Sequence, residues 1–105
     1  MRILEYQVKN QRLIPTGNHS GLVAGTTGYL QAKFNFDESW DDCIKVASFF
    51  NNGEEHAVKL DDDICTIPPA ALTNSVFEVC VEGRTKNYRI LSTKIKETQK
   101  VVKEG

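Results

Sequence analysis

The clearest pattern in the chain is a strict alternation of apolar and polar residues over residues 29–36. A period of two predicts a β-strand with one face in the core and one face in solvent. The core face would carry Leu30, Ala32, Phe34 and Phe36, and the solvent face Gln31, Lys33 and Asn35. A second alternation, over residues 75–82, predicts another strand of the same kind.

Shorter β-rich runs occupy most of the remaining sequence, and turn residues separate them. Runs that favour strands cover residues 2–8, 12–15, 43–50, 56–60, 64–67 and 88–95. Asn51-Asn52-Gly53 predicts a tight hairpin, because Asn and Gly tolerate a positive φ. Pro69–Leu72 predicts a single helical turn. About eight short strands with frequent turns predict an all-β fold, an antiparallel sandwich of immunoglobulin-like or jelly-roll-like type.

A chain of 105 residues is long enough for one hydrophobic core. We expect a single β-sandwich domain over residues 1–96. Residues 97–105 are rich in Lys and Glu and poor in large apolar residues, which predicts a charged C-terminal tail or linker.

The overall charge excludes some classes of partner. Thirteen basic and fourteen acidic residues give a formal net charge of -1, so no global field attracts nucleic acid or an anionic lipid surface. The first residues lack the apolar stretch of a signal peptide, and no apolar run approaches the roughly 20 residues that span a bilayer. We therefore expect synthesis in the cytoplasm and no membrane or nucleic-acid partner.

Three cysteines and two histidines are the candidates for nucleophilic chemistry. Cys43, Cys65 and Cys80 are odd in number and have apolar or β-branched neighbours, which favours reduced, packed thiols. A catalytic cysteine needs a base within hydrogen-bond reach, and folding could bring Cys43 or Cys65 near His56, whereas His19 lies in a glycine-rich loop. Nothing in the sequence requires such a pair, and we expect no enzyme.

Two acidic clusters could offer oxygen ligands to a hard cation. They are Asp37, Glu38, Asp41 and Asp42, and the run Asp61-Asp62-Asp63. Neither has the length and glycine placement of a calcium loop, and consecutive aspartates commonly cap turns. The glycines between Pro15 and Gly28 are spaced too irregularly for a phosphate-binding loop. We expect no metal and no cofactor.

Trp40 has two interpretations. A lone Trp in a sandwich usually fills the core and finds a partner for its indole N–H. Its acidic neighbours Asp41 and Asp42 instead favour a sheet rim, where an exposed ring could contact a partner. A small basic and aromatic patch follows later in the chain. The candidate partner-binding residues are therefore Trp40, Asp41, Asp42, Arg84, Lys86, Tyr88 and Arg89.

Three blocks, in this order, resemble small β-sandwich modules of tail-associated and baseplate-associated proteins from phages and prophages of Gram-positive bacteria. The first block is residues 22–28 with residues 32–42, the second is residues 60–72, and the third is residues 77–83 with residues 88–93, so the likeness covers roughly residues 20–96. Pro69 and Ala70 depart from the pattern, since an acidic residue is common there in the family.

The resemblance implies a non-enzymatic structural module that assembles or decorates a tail, a baseplate or another part of a virion. Its partners would be other phage structural proteins, and symmetric virion parts imply a homo-oligomer. Two alternatives stay open. One is a small phage-encoded inhibitor that binds a host protein, and the other is a carbohydrate-binding module that uses Trp40 or Tyr88.

Overall fold

A computed structural model describes residues 1–102 and places them in two packed β-sheets. The strands are β1 (Arg2–Lys9), β2 (Arg12–Thr16), β3 (Leu30–Phe36), β4 (Ile44–Asn51), β5 (Glu54–Lys59), β6 (Ile64–Thr66), β7 (Val76–Arg84), β8 (Arg89–Leu91) and β9 (Ile95–Thr98). The helical content of the described residues is two short 3₁₀ turns, Glu38–Trp40 and Pro69–Leu72. The predicted all-β sandwich is confirmed, including the turn at Pro69–Leu72. None of the helical segments in this part of the chain is long and apolar enough to cross a membrane.

The four-stranded sheet has the order β2-β1-β3-β6. β1 and β2 form an antiparallel hairpin, and β6 pairs antiparallel with β3. β1 and β3, however, run parallel, with Tyr6 opposite Phe34. Parallel strands need a long crossover, and the chain makes it through β2 and the glycine-rich segment between Thr16 and Leu30. This one parallel pair lies within a sandwich whose other strand pairs are antiparallel.

The five-stranded sheet is antiparallel, with the order β5-β4-β7 and both β8 and β9 on the far side of β7. The β4–β5 hairpin closes through Asn52 and Gly53, which both have positive φ. Two consecutive positive φ values match the right-handed twist of the flanking strands. The hairpin predicted at Asn51–Gly53 is thus confirmed.

The single strand predicted over residues 88–95 is wrong, because the chain leaves the ladder between β8 and β9. At Thr93 the backbone N–H donates to the carbonyl of Gln11, and its hydroxyl accepts from the N–H of Leu13. Both partners belong to the β1–β2 hairpin of the other sheet. The segment between β8 and β9 therefore links the two sheets at one end of the sandwich. The local alternation of apolar and polar residues does not indicate this contact.

The sandwich continues past the domain boundary predicted at residue 96. β9 continues to Thr98, Glu97 and Gln99 are buried, and Lys100 forms a bridge with Val23. The N–H of Gln99 donates to the carbonyl of Ser75 at 2.7 Å. The sandwich thus includes at least residues 97–100 of the expected tail, while its last three residues, 103–105, lie outside the described residues.

An aromatic row runs through the core between the sheets. Tyr6 and Phe34 stack with ring centroids 5.1 Å apart, Phe34 and Phe36 are 6.0 Å apart, and Phe36 and Trp40 are 5.1 Å apart. Tyr6, Phe34 and Trp40 are fully or almost fully buried. The alternating face predicted for β3 is therefore the centre of the core, and the row ends at the turn that carries Trp40.

Candidate interaction surface

Trp40 lies fully inside the core, so its predicted role as an exposed contact is wrong. Its indole N–H donates to the carbonyl of Asn10 at 2.7 Å, and its ring packs against Phe36. The acidic residues next to it serve the turn: Asp37 caps the 3₁₀ segment by accepting from the N–H of Ser39. The interpretation of Trp40 as a core residue with a bonded indole is the one that the structure shows.

Because Gly83 on β7 has no side chain, the Trp40 ring can pack directly against its backbone. A Cβ on Gly83 would lie 2.8 Å from Cε3 of Trp40 and 3.0 Å from Cγ2 of Ile90. The ring is fixed by its bond to Asn10 and cannot withdraw freely. We expect Gly83→Ala to lower the free energy of unfolding by about 1–3 kcal/mol, the usual range for overpacking.

The control for this substitution is a double-mutant cycle with Trp40→Phe, read by urea unfolding. Phenylalanine lacks the second ring, so Gly83→Ala should cost less in the Trp40→Phe background. Equal costs in both backgrounds would show that Trp40 does not set the requirement for glycine.

The other six candidate residues are exposed and lie at the end of the sandwich that covers Trp40. Asp41 and Asp42 precede β4, while the basic and aromatic residues belong to the end of β7, the following turn and β8. The register brings these strands together, since Arg84 lies opposite both Ile44 and Arg89. We call this set the Tyr88 surface, and its residues are Asp41, Asp42, Ile44, Glu82, Arg84, Lys86, Tyr88, Arg89 and Leu91.

Tyr88 connects the two parts of the surface. Its side chain is 49% exposed, and its hydroxyl lies 3.9 Å from Sγ of Cys43. The hydrogen bond between Cys43 and this hydroxyl, together with the nearby carboxylates of Asp42 and Asp41, raises the pKa of Tyr88 above its ordinary value. The phenol is therefore neutral near pH 7, with half of its surface available to a partner.

Glu82 organises the basic part of the surface. Its Oε1 accepts from Nε of both Arg84 and Arg89, which lie beside it on the outer face. The bond from Arg89, supported by Arg84, lowers the pKa of Glu82. Two guanidinium groups thus share one carboxylate, which leaves one of their positive charges uncompensated.

Two apolar members of the surface were not predicted from the sequence. Ile44 is 59% exposed and Leu91 is 41% exposed, and both lie on the outer face of the five-stranded sheet. The phase of the alternation in β4 was the available signal: Ala47 and Phe49 are buried, so Ile44 must face outward with Val46. Exposed aliphatic side chains beside an aromatic residue are typical of protein interfaces.

A buried polar cluster beside the middle of β1 was also not predicted. One oxygen of Glu97, Oε2, accepts from the hydroxyl of Tyr6 at 2.5 Å and lies 2.6 Å from Nδ1 of His19. The other ring nitrogen of His19 lies 2.8 Å from the carbonyl oxygen of Glu5 and 2.9 Å from that of Thr16. Burial, followed by Glu97, raises the pKa of Tyr6 well above its ordinary value. These partners are up to 91 residues apart, so no local motif marks them.

This cluster links parts of the fold and does not form a site open to a substrate. Tyr6 and Glu97 are buried, and the three side chains come from β1, the glycine-rich loop and β9. They connect the four-stranded sheet to the five-stranded sheet. Within residues 1–102 no cysteine is a hydrogen-bond partner of His19.

The cysteines are free in the structure. Burial raises the pKa of Cys65 to about 11 and also raises that of Cys80. A raised pKa keeps a thiol protonated and weakly nucleophilic near pH 7. His56 has a carboxylate neighbour, Glu54, at 3.9 Å. Across residues 1–102, no group of three or more His, Cys, Asp or Glu side chains is placed to hold a metal ion.

Asp37 makes the stability of the Trp40 turn depend on pH. Its carboxylate accepts from the backbone N–H groups of Asn10 and Ser39. The bond from Asn10 is the main reason why its pKa lies below the ordinary value. A lowered folded-state pKa means that the stabilisation is complete above the unfolded pKa, about 3.9, and is lost as the pH falls through the folded value.

We expect Asp37→Asn to destabilise the protein near neutral pH and to lose this disadvantage relative to wild type as the pH falls below about 4. Urea unfolding at pH 7, 5, 4 and 3 measures the difference. Glu38→Gln, at the neighbouring exposed position, is the control and should leave the pH profile unchanged. A constant difference between wild type and Asp37→Asn across this range would contradict the assignment.

An open groove of about 540 Å³ lies at the far end of the five-stranded sheet, between the β4–β5 hairpin, the start of β7 and β9. Its polar groups are largely engaged in the fold. Asn51 donates to Ala70 and Thr73 and accepts from Asn74. The ammonium of Lys94 covers the Phe50 ring, 4.0 Å from its centroid. The Tyr88 surface is therefore the stronger candidate for function.

Comparisons of the chain with protein-family models, with curated proteins and with solved structures found no match.

Proposed function

We propose that this chain is a non-enzymatic structural module of a phage or prophage virion, and that it docks another protein subunit through the Tyr88 surface. The observation that carries the docking role is the composition of this surface. A half-exposed tyrosine and two exposed aliphatic side chains lie among acidic and basic groups on a rigid sheet end. Aromatic and aliphatic residues surrounded by charges are the usual makeup of a protein interface.

The virion setting is supported by sequence likeness. The three blocks that resemble phage tail and baseplate modules occur in the family's order and span most of the sandwich. The last block, residues 77–83 with residues 88–93, also contains four members of the Tyr88 surface, Glu82, Tyr88, Arg89 and Leu91. A sandwich with a docking end is the kind of part that assembles into larger symmetric structures.

The non-enzymatic character is supported by the state of the candidate nucleophiles. The Cys65 thiol is buried and has a raised pKa, and His19 is engaged by Glu97 and by backbone carbonyls. For the carbohydrate alternative, burial of Trp40 leaves Tyr88 as the stacking residue. A lone tyrosine beside a crowded ion cluster suits a protein contact better than a sugar site.

The experiment is incorporation into particles. Particles are purified on a density gradient from a culture that expresses the gene together with its neighbouring genes, and the chain is quantified by mass spectrometry. We expect the wild-type chain to be present at a fixed ratio to the major structural proteins, and Tyr88→Asp to remove it. Tyr29→Asp is the matched control, because Tyr29 is 50% exposed at the opposite end of the sandwich.

Tyr29 lies next to the start of β1, where its carbonyl accepts from the N–H of Arg2. Eight residues of β1 separate it from the Asn10 end, a distance of about 25 Å. Tyr29→Asp should therefore leave incorporation unchanged. Absence of the wild-type chain from particles, with a host protein bound to it instead, would overturn the proposal in favour of the inhibitor alternative.

A further inference from the structure

We propose that the subunit docked on the Tyr88 surface is a second copy of this chain, related by a two-fold axis. This inference rests on the proposed function, since it names the partner of the same surface. It comes from the distribution of charge over the surface, which is complementary to itself.

The acidic groups occupy one side of the surface. Asp41 and Asp42 lie before β4, and neither forms an ion pair within residues 1–102. They contribute two uncompensated negative charges. The shape of this side is fixed by the turn itself, because Asp42 has a φ of +62° and Asp41 caps the 3₁₀ segment that ends at Trp40.

The basic groups occupy the other side. Arg84 and Arg89 share the one carboxylate of Glu82, and Lys86 lies in the turn between β7 and β8 without an ion pair in the described part of the chain. This side therefore has two uncompensated positive charges. The two sides match in number, so the surface as a whole is neutral.

The apolar residues lie with these groups. Ile44 is at the start of β4, Tyr88 reaches across to Cys43, and Leu91 lies at the end of β8. A two-fold rotation exchanges the two sides of a surface, so the acidic side of one copy meets the basic side of the other. The apolar residues of the two copies then meet in the middle and lose water together. A partner of one strong charge sign would instead repel one side of this surface.

The test is sedimentation equilibrium of the purified chain over a range of concentrations. A monomer has a mass of 11.8 kDa, and we expect the wild-type chain to approach twice that mass as its concentration rises. Raising the salt concentration should weaken the association, since exposed charges are screened.

Two charge variants make the test specific. The first is Asp41→Lys with Asp42→Asn, where Asn tolerates the positive φ of position 42. The second is Arg84→Glu with Lys86→Glu. Each variant alone places like charges opposite one another in the dimer, and we expect its dissociation constant to rise at least about ten-fold. An equimolar mixture of the two variants should associate again, because opposite charges then face each other at both contacts.

The control is Asp61→Lys with Asp62→Asn. Asp61 and Asp62 form an exposed acidic pair that follows β5, on the other side of β4, and Asp62 also has a positive φ of 52°. This variant should dimerise like wild type. Circular dichroism shows that each variant is folded before its mass is measured.

The outcomes separate this inference from the proposed function. A wild-type chain that stays at 11.8 kDa at every concentration, or charge variants that associate like wild type, would overturn the two-fold contact. If Tyr88→Asp still removes such a monomeric chain from particles, the surface docks a different subunit and the proposed function stands. In a third outcome, the charge variants disrupt the dimer but the Tyr88→Asp chain enters particles normally. This result would support the two-fold contact and contradict the role of this surface in assembly.

Discussion

Replacing Phe34 by alanine is expected to lower the free energy of unfolding by about 3–5 kcal/mol. Phe34 is 1% exposed in the middle of the aromatic row, stacked on Tyr6 and in contact with Phe36. Its removal would leave a cavity in the core beside Tyr6 and Phe36, whose positions are set by their strands. The cost therefore includes the lost burial of the ring and the space that it leaves behind.

Urea unfolding followed by tryptophan fluorescence measures this effect, since Trp40 reports on the same row. Lys33→Ala and Asn35→Ala are the matched controls, because both residues are exposed on the same strand. Each should change the stability by less than about 0.5 kcal/mol. A loss below about 1 kcal/mol for Phe34→Ala would mean that the site collapses easily and that the row is not the centre of the core.

Replacing Glu97 by alanine is expected to lower the free energy of unfolding by about 3 kcal/mol. This large effect is expected although the sequence predicts a charged tail for the segment that contains Glu97. The substitution removes the acceptor of the Tyr6 hydroxyl and the partner of His19 Nδ1. Both groups are largely buried and would lose their hydrogen bonds without gaining water. Leaving one member of a buried polar pair alone costs more than the pair itself contributes.

Lys96→Ala and Thr98→Ala are the controls for Glu97→Ala, since these neighbours on β9 are exposed. A cycle of Tyr6→Phe with Glu97→Ala isolates the hydrogen bond, and a coupling energy above about 0.5 kcal/mol is expected. Truncation after residue 96 should be at least as harmful as Glu97→Ala, because it also removes the buried Gln99. If the truncated chain is as stable as wild type, residues 97–100 are a tail after all.

The sequence predicts well those elements that depend on near neighbours. The alternation over residues 29–36 locates β3 and its core face, because a strand exposes every second side chain by geometry alone. Asn52 and Gly53 locate the β4–β5 turn, because its backbone needs two positive φ values. Each of these features is complete within a few residues of chain.

Features that need distant partners were predicted poorly. The carboxylates around Trp40 suggested a rim, but its indole bonds to Asn10, which is thirty residues away. A charged residue at position 97 suggested a tail, whereas its partners are Tyr6 and His19. Residue type alone would place Ile44 inside and Lys45 outside, but Lys45 contacts Asp63 and the ring of Phe36, while Ile44 faces outward.

The Tyr88 surface was found in part for the same reason. Its charged and aromatic residues form a local cluster around the β7–β8 turn, so composition was enough to select them. The pairing of this turn with the start of β4 adds Ile44 and places Asp41 and Asp42 alongside, and only the register of the sheet supplies that information.

Hydroxyl-radical footprinting of the two exposed tyrosines tests the docking surface most directly. Tyr88 and Tyr29 are almost equally exposed, at 49% and 50%, so each serves as a reference for the other. Labelling is compared between the dilute chain and purified particles that contain it. We expect the ratio of Tyr88 to Tyr29 labelling to fall several-fold in particles, because docking covers Tyr88. An unchanged ratio in particles, or protection of Tyr29 alone, would contradict it.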